Sequence, residues 1–137
     1  MIFGFSERYI LQIILIAIAG ACGALGRYGL STLVSNVCGD KFAYGTLAAN
    51  VIGCFLIGFV MHIALSTDII SEDMRMAVAV GFLGALTTFS TFSYETYKFI
   101  EDAAWMLAIS NVAANVIFGL IATIIGLAAA RLIVGGA

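Results

Sequence analysis

Residues 81–93 read Gly-Phe-Leu-Gly-Ala-Leu-Thr-Thr-Phe-Ser-Thr-Phe-Ser, and this stretch decides how the rest of the chain is interpreted. It places two glycines and five hydroxyl residues inside an otherwise apolar segment. Glycine and threonine both weaken helix propensity. A lipid bilayer tolerates unpaired backbone groups only where they are buried in protein or line a polar cavity. The stretch therefore predicts a helix broken around residues 84–88 that faces the protein interior.

The sequence on either side of this stretch is apolar enough to cross a membrane several times. Of 137 residues, 63% are hydrophobic and 10% are charged, far from the usual composition of a soluble domain. A bilayer core about 30 Å thick needs roughly 20 apolar residues per helix, so the length suits four spans in a single membrane domain, residues 1–137. The predicted spans are about 9–34, 42–65, 76–97 and 103–130.

Arg8, the apolar run after it and the small residues before Cys22 loosely imitate a bacterial lipoprotein signal. Two features oppose that alternative. Glu7 neutralises the basic residue, and the remaining chain is as apolar as the first segment. Cleavage would also leave three spans, so we expect the first segment to remain as a span.

Composition also argues against several classes of function. The 6 basic and 8 acidic residues form no cluster that could follow a phosphate backbone, so nucleic acid is not an expected partner. The 3 cysteines form no C-x-x-C pair, and there is only 1 histidine, so no zinc-type ligand set is evident. An enzyme is not expected either, because no constellation of nucleophile, base and metal ligands appears.

The basic residues are divided evenly between the two sides of the predicted membrane domain. Lysine and arginine in short loops set the orientation of a membrane protein, so an even division predicts insertion in both directions. Subunits of opposite orientation can form an antiparallel homodimer whose two-fold axis lies in the membrane plane. The same balance can also arise by chance. One side carries Arg8, Arg75 and Arg131, and the other carries Arg27, Lys41 and Lys98.

Three segments, in this order, are similar to the Fluc (CrcB) fluoride channels, and the resemblance covers nearly the whole chain. They are residues 26–28 (Gly-Arg-Tyr), residues 45–53 (Gly-Thr-Leu-Ala-Ala-Asn-Val-Ile-Gly) and residues 81–95. The resemblance implies an all-α membrane protein with four transmembrane helices per subunit and a broken third helix. It further implies a dual-topology antiparallel homodimer in the bacterial inner membrane. Such a dimer would export fluoride passively from the cytoplasm through two pathways, with a sodium ion held at its centre.

The resemblance also assigns roles to individual residues. Asn50 is similar to the family's pore asparagine, and Phe89 and Phe92 are similar to its two pore phenylalanines. Gly84 and Thr87 match the positions whose backbone carbonyls hold the sodium ion, two from each subunit.

A basic residue and three departures complete the comparison with the family. Arg27 matches the basic residue near the aqueous entrance. Ala85 stands where a second glycine is common, while Asn111 and Asn115 stand where tyrosine and serine are expected in the fourth span. These replacements keep the polar character of the fourth span but leave its contribution to the pore lining open.

The residues themselves suit a small, strongly hydrated anion. Burying fluoride without partners in a low dielectric would be prohibitive, so a pathway must replace its hydration. Phe89 and Phe92 share a helix face, and the positive edge of an aromatic ring can face an anion without holding it tightly. Two phenylalanines at this spacing can equally be core or lipid-facing bulk, and polar residues in a span can simply join helices. The candidate donors are Asn50, Ser90, Thr91, Ser93, Asn111 and Asn115.

Two other functions compete with a channel. A small multidrug-type transporter, which exchanges protons for hydrophobic cations, needs a carboxylate deep in its cavity, and the first span has none between residues 9 and 34. An accessory or scaffold subunit needs only helix packing. Packing alone gives no reason for the dense run of hydroxyl and aromatic residues at 87–93.

Overall fold

The computed structural model describes residues 7–134, and the regular structure in that range is helical. Four helical spans are long and apolar enough to cross a membrane. This confirms an all-α protein with four candidate spans. They are α1 (Glu7–Cys38), α2 (Tyr44–Ser66), the composite third span (Glu72–Glu101) and α6 (Trp105–Val134).

The third span consists of several segments rather than one regular helix. It begins where the hydroxyl of Ser71 accepts a hydrogen bond from the backbone N–H of Met74, which caps the first turn. A seven-residue π-helix follows, a rare conformation that is frequent at functional sites. The segments are α3 (Glu72–Met76), the π-helix (Ala77–Leu83), α4 (Gly84–Leu86) and α5 (Phe89–Glu101).

Helices α2 and α6 approach each other closely because glycines face the opposing backbone. A Cβ atom at Gly58 would lie 3.1 Å from the carbonyl carbon of Thr123, and one at Gly126 would lie 3.0 Å from the carbonyl carbon of Phe55. Membrane helices gain no hydrophobic drive from one another, so close backbone packing supplies much of their attraction. Small residues therefore make up most of the buried core, for example Ala49 and Ala130, which are fully buried.

A glycine of α1 and a glycine of the π-helix serve the same purpose where these two elements meet. A Cβ atom at Gly23 would overlap the carbonyl oxygen of Phe82, and one at Gly81 would lie 2.6 Å from the carbonyl oxygen of Ile16. The two glycines thus allow α1 and the third span to pack backbone against backbone. This contact fixes the position of the segment that leads into the stretch from Gly84 to Phe92.

Several helix ends differ from the predicted span ends. α1 continues four residues past the expected end at 34, and stops at Cys38 because Gly39 takes a left-handed conformation with φ +78°. The third span extends to Glu101, so most of the expected turn at 98–102 is helical, with Lys98 paired to Glu101 in the last turn. Hydropathy marks where apolar residues stop, whereas helices run on until a cap or a left-handed residue ends them.

Candidate functional site

The helix of the third span is interrupted between α4 and α5. Thr87 (φ −82°, ψ 156°) and Thr88 (φ −151°, ψ 116°) both have extended backbone conformations. α4 ends as the N–H and the hydroxyl of Thr87 both donate to the carbonyl of Leu83. α5 begins as the hydroxyl of Thr88 accepts from the N–H of Thr91 at 3.2 Å. Thr87 thus completes the last turn of α4, and the hydroxyl of Thr88 satisfies a backbone N–H that the interruption removes from the helix ladder.

Asn50, on α2, binds both backbone groups of Thr88. The N–H of Thr88 donates to Oδ1 of Asn50 at 2.8 Å, and Nδ2 of Asn50 donates to the carbonyl of Thr88 at 3.3 Å. In a continuous α-helix the N–H of Thr88 would instead pair with the carbonyl of Gly84. The side chain of Asn50 therefore replaces that helix bond and leaves the Gly84 carbonyl outside the helix ladder.

A chain of side-chain hydrogen bonds runs from Asn50 into α6 and on to α5. Nδ2 of Asn50 donates to Oδ1 of Asn115 at 2.8 Å, and Nδ2 of Asn115 donates to Oδ1 of Asn111 at 3.1 Å and to its backbone carbonyl at 3.0 Å. Nδ2 of Asn111 donates to the hydroxyl of Thr96 at 2.9 Å, and that hydroxyl donates to the carbonyl of Phe92 at 2.8 Å. Asn111 is fully buried, so its hydrogen bonds offset the desolvation of its amide.

A groove of about 430 Å³ lies beside the interruption. The rings of Phe89 and Phe92 stand on its wall with centroids 5.5 Å apart and planes inclined by 54°. The groove is open on the surface of the subunit, since the side chain of Phe89 is 78% exposed. Its wall includes Asn50, Thr87, Thr88, Phe89, Phe92 and Asn115.

The structure brings together some of the predicted pathway residues and separates others. Asn50, Asn115, Phe89 and Phe92 share the groove, as described above. Ser90 and Thr91 are exposed but remain next to the groove, because their hydroxyls lie 3.2 and 3.0 Å from the hydroxyl of Thr88. Ser93 is half-buried and lies outside the groove wall. Asn111 lies inside the subunit rather than on an open surface.

The residues predicted to hold sodium and to form the entrance also meet at the interruption. Gly84 is exposed, and a Cβ atom there would lie 3.7 Å from the carbonyl oxygen of Ala79, which is ordinary van der Waals contact. Nη1 of Arg27, on α1, lies 3.5 Å from the carbonyl oxygen of Thr87. Arg27 is therefore close to the interruption itself.

Glu95, in the middle of α5, is a candidate from sequence as a carboxylate at membrane depth, but its pairing with the hydroxyl of Thr46 was not predicted. The hydroxyl of Thr46 donates to Oε1 of Glu95 at 2.7 Å, and Oε2 of Glu95 is buried without a partner among residues 7–134. Both residues line a second cavity of about 310 Å³, together with Lys98. One signal in the sequence was the depth of the two residues in the membrane. Thr46 lies near the start of α2 and Glu95 toward the end of the third span. Because these two spans run in opposite directions, the two residues are expected at a similar depth.

Comparisons with known proteins give the same assignment over most of the chain. Residues 14–127 match the family model described as "CrcB-like protein, Camphor Resistance (CrcB)". The chain is 50% identical over 120 residues, 88% of its length, to the "Fluoride-specific ion channel FluC" of Geobacter sp. (strain M21), of which 97% is covered. It is 45% identical over 115 residues, 84% of its length, to the protein of the same name from Dehalococcoides mccartyi (strain CBDB1), of which 88% is covered.

The relatives are bacterial proteins named as ion channels, a class of transport protein rather than of enzyme. With four candidate spans, the chain is a multi-pass protein of the bacterial inner membrane, as the sequence predicted. The resemblance read from residues 26–28, 45–53 and 81–95 is confirmed by the family match and by these relatives. The chain belongs to the CrcB (Fluc) family.

Proposed function

We propose that this chain is a subunit of a fluoride-selective ion channel that exports fluoride passively from the bacterial cytoplasm. The observation that carries the proposal is the groove beside Thr87 and Thr88, where a phenylalanine pair stands at an interruption of a membrane span. The name of the relatives at 45–50% identity supports fluoride as the ion.

The chemistry of the groove suits an anion that must be held weakly. The inclined rings of Phe89 and Phe92 can present positive edges to an anion, which attract it less strongly than a charged group would. The amide protons of Asn50 are already directed at Thr88 and Asn115. Asn50 therefore contributes to the shape of the groove at least as much as it contributes hydrogen-bond donors to an anion. Weak contact at several points favours fast conduction. The predicted hydroxyl residues Ser90, Thr91 and Ser93 are also proposed members of the pathway, whereas Asn111 and Asn115, also predicted there, support it through their hydrogen bonds to each other and to Asn50.

The proposed assembly is a dual-topology antiparallel homodimer with two pores. One subunit supplies only part of a pore wall, because the groove is open and Phe89 is largely exposed. A second copy related by a two-fold axis in the membrane plane would cover both grooves at once. The even division of basic residues between the two sides supports insertion in both orientations.

The proposed dimer holds a sodium ion at its centre through the backbone carbonyls of Gly84 and Thr87. The fit rests on the hydrogen bond from Thr88 to Asn50, which leaves the Gly84 carbonyl outside the helix ladder on an exposed part of the subunit. A carbonyl oxygen has two lone pairs, so Thr87 can accept from Arg27 and still face a cation. When bound, the ion supplies positive charge near the two anion pathways. Fluoride efflux is expected to fall when sodium is replaced by N-methylglucamine throughout purification and assay.

A proton-coupled small multidrug-type transporter remains the second candidate. Such a mechanism needs a carboxylate in a cavity at membrane depth. Glu95 lines the 310 Å³ cavity, and its buried Oε2 has no partner among residues 7–134, so it is the residue suited to this role. An accessory scaffold subunit would require neither the groove nor this cavity.

The deciding experiment is fluoride efflux from liposomes that contain the purified protein, with chloride as the control anion. Asn50→Asp is expected to abolish efflux, because a carboxylate keeps the acceptor for Thr88 but turns two donor contacts, at 3.3 and 2.8 Å, into contacts between acceptors. Phe92→Ile removes a ring edge and is expected to reduce efflux strongly. Phe118→Ile, on the exposed surface of α6, is the matched control and should conduct normally. Drug-proton exchange without fluoride efflux would favour the transporter, and no transport of any kind would favour the scaffold.

A further inference from the structure

The hydrogen-bond chain between Asn50 and Thr96 has a direction that its ends impose. The N–H of Thr88 can only donate, so the atom of Asn50 that faces it must be Oδ1, and the atom that faces Asn115 must be Nδ2. At the far end the carbonyl of Phe92 can only accept, so the hydroxyl of Thr96 must donate to it. That hydroxyl is then free to accept a hydrogen bond from the side-chain amide of Asn111.

The middle of the chain follows the same direction without conflict. Asn115 accepts from Asn50 with Oδ1, so its Nδ2 points to Asn111, where it donates both to Oδ1 and to the backbone carbonyl. Asn111 accepts with Oδ1, so its Nδ2 points to Thr96. Hydrogen bonds that run in one direction inside a low dielectric strengthen one another. This chain of hydrogen bonds therefore joins the backbone of Thr88 to the backbone of Phe92 through three side-chain amides and one hydroxyl.

We propose that Asn111 and Asn115 are positioning residues, which fix the orientation of the Asn50 amide and thereby the backbone of the interruption at Thr88. This inference rests on the proposed conduction function, because Asn50, Thr88 and Phe92 line the groove that we assign to fluoride. Burial supports positioning rather than ion contact for Asn111, whose side chain has no exposed surface in the subunit. Both hydrogen bonds that Asn115 donates go to Asn111, so its amide protons are also used within the hydrogen-bond chain and not for an ion in the groove.

Simple helix-joining is the contrary explanation, since polar side chains often tie membrane helices together. The two explanations differ at Thr88. Helix-joining predicts that loss of Asn111 weakens the contact between α5 and α6 and leaves the hydrogen bond of the Thr88 N–H unchanged. Positioning predicts that the same loss loosens this hydrogen bond, which lies in another part of the subunit and involves neither α6 nor Asn111 directly.

The test combines two readouts on the full-length protein: site-resolved hydrogen exchange of the Thr88 N–H in detergent micelles, and fluoride efflux from liposomes. Asn111→Leu keeps a similar side-chain size but removes the amide. We expect Thr88 to exchange faster and efflux to fall, each by about two- to tenfold, the range that loss of one hydrogen bond produces. Asn115→Leu also removes the acceptor of Asn50 and should have the larger effect.

Thr96 provides a conservative pair at the far end of the chain, outside the groove. Thr96→Val removes the hydroxyl with little change in shape and should reproduce the effect of Asn111→Leu, whereas Thr96→Ser keeps the hydroxyl and should restore both readouts. Thr123→Val is the matched control on α6, because the hydroxyl of Thr123 donates only to the carbonyl of Gly119 in its own helix. It should change neither readout.

Each outcome bears on the proposal. Faster exchange at Thr88 in Asn111→Leu and Thr96→Val, with rescue by Thr96→Ser, supports it. Folded variants with unchanged Thr88 exchange and unchanged efflux overturn it. If Asn111→Leu does not fold, the Thr96 pair decides. If the unmodified protein carries no fluoride, the proposed function fails, while exchange at Thr88 still reports whether Asn111 positions the interruption.

Discussion

Alanine at Gly23 tests whether close backbone contact between α1 and the third span holds the protein together. A Cβ atom there would overlap the carbonyl oxygen of Phe82, and would lie 2.9 Å from its carbonyl carbon and 3.1 Å from Cβ of Ala85. Non-bonded carbon atoms are best separated by about 3.5–4.0 Å, so the two backbones must separate by roughly half an ångström or more. Because two backbones have to move instead of one flexible side chain, the loss of stability from this contact is expected near the upper end of the usual range for overpacking.

That range is about 1–3 kcal/mol. Alanine favours a helix over glycine by about 1 kcal/mol, which offsets part of the cost. Gly23→Ala should therefore destabilise the protein by about 2 kcal/mol. It should also reduce fluoride efflux, because Phe82 lies in the π-helix that leads into the interruption.

α1 supplies matched controls in the same helix. A Cβ atom at Gly20 would be 3.7 Å from the nearest atom, the carbonyl oxygen of Gly81, and one at Gly29 would meet nothing within 4 Å. Gly29→Ala should be neutral or stabilising by up to about 1 kcal/mol, and Gly20→Ala should be close to it. The assay is the midpoint of denaturation in detergent for each variant, followed by efflux. The reasoning is refuted if Gly23→Ala is as stable as the unmodified protein, or if Gly29→Ala loses as much stability as Gly23→Ala.

Three further predictions concern packing, capping and surface charge. Gly126→Ala should lower the denaturation midpoint sharply because its Cβ atom would overlap a backbone carbonyl of α2, whereas Gly119→Ala, whose Cβ atom would lie 3.3 Å from a cysteine sulfur, should cost little. Thr88→Val removes the hydroxyl that caps α5 and should cost about 1 kcal/mol, with a matching fall in fluoride efflux; unchanged stability and efflux would contradict the capping role. Arg8→Gln breaks an exposed ion pair with Glu72 and should change stability by less than about 1 kcal/mol, as measured by the same denaturation midpoint.

Composition and local pattern predicted the features that follow from the residue types along the chain and not from contacts between helices. Apolar length located four candidate spans, and the glycines and hydroxyl residues of 81–93 located the interruption in the third. The π-helix from Ala77 to Leu83 was not predicted, because its hydrogen bonds span one residue more than those of an α-helix without requiring a distinctive composition. Its residues are apolar, like those of an ordinary span, so hydropathy does not distinguish it from an α-helix.

The partners of the polar side chains were beyond the sequence for a different reason. Sequence places Asn50, Asn111 and Asn115 at membrane depth, and at that level each looks like a free donor for an anion. In the structure their amides bond mainly to one another and to the backbone. Pairing across α2, α5 and α6 depends on helix rotation and register, which hydropathy does not encode. The same limit hid the contact between Thr46 and Glu95.

Asn50 and Thr88 satisfy each other's polar groups, but stability alone does not explain why the protein contains this pair. An extended Thr88 inside hydrocarbon would leave its N–H unpaired, and Asn50 satisfies it; an isolated asparagine in a span would be costly, and Thr88 satisfies it in turn. A continuous helix through Gly84 to Phe92 facing a leucine would satisfy every backbone group with fewer buried polar atoms. The polar arrangement is therefore better explained by what it leaves available: a carbonyl of Gly84 released from the helix ladder and a groove beside the interruption.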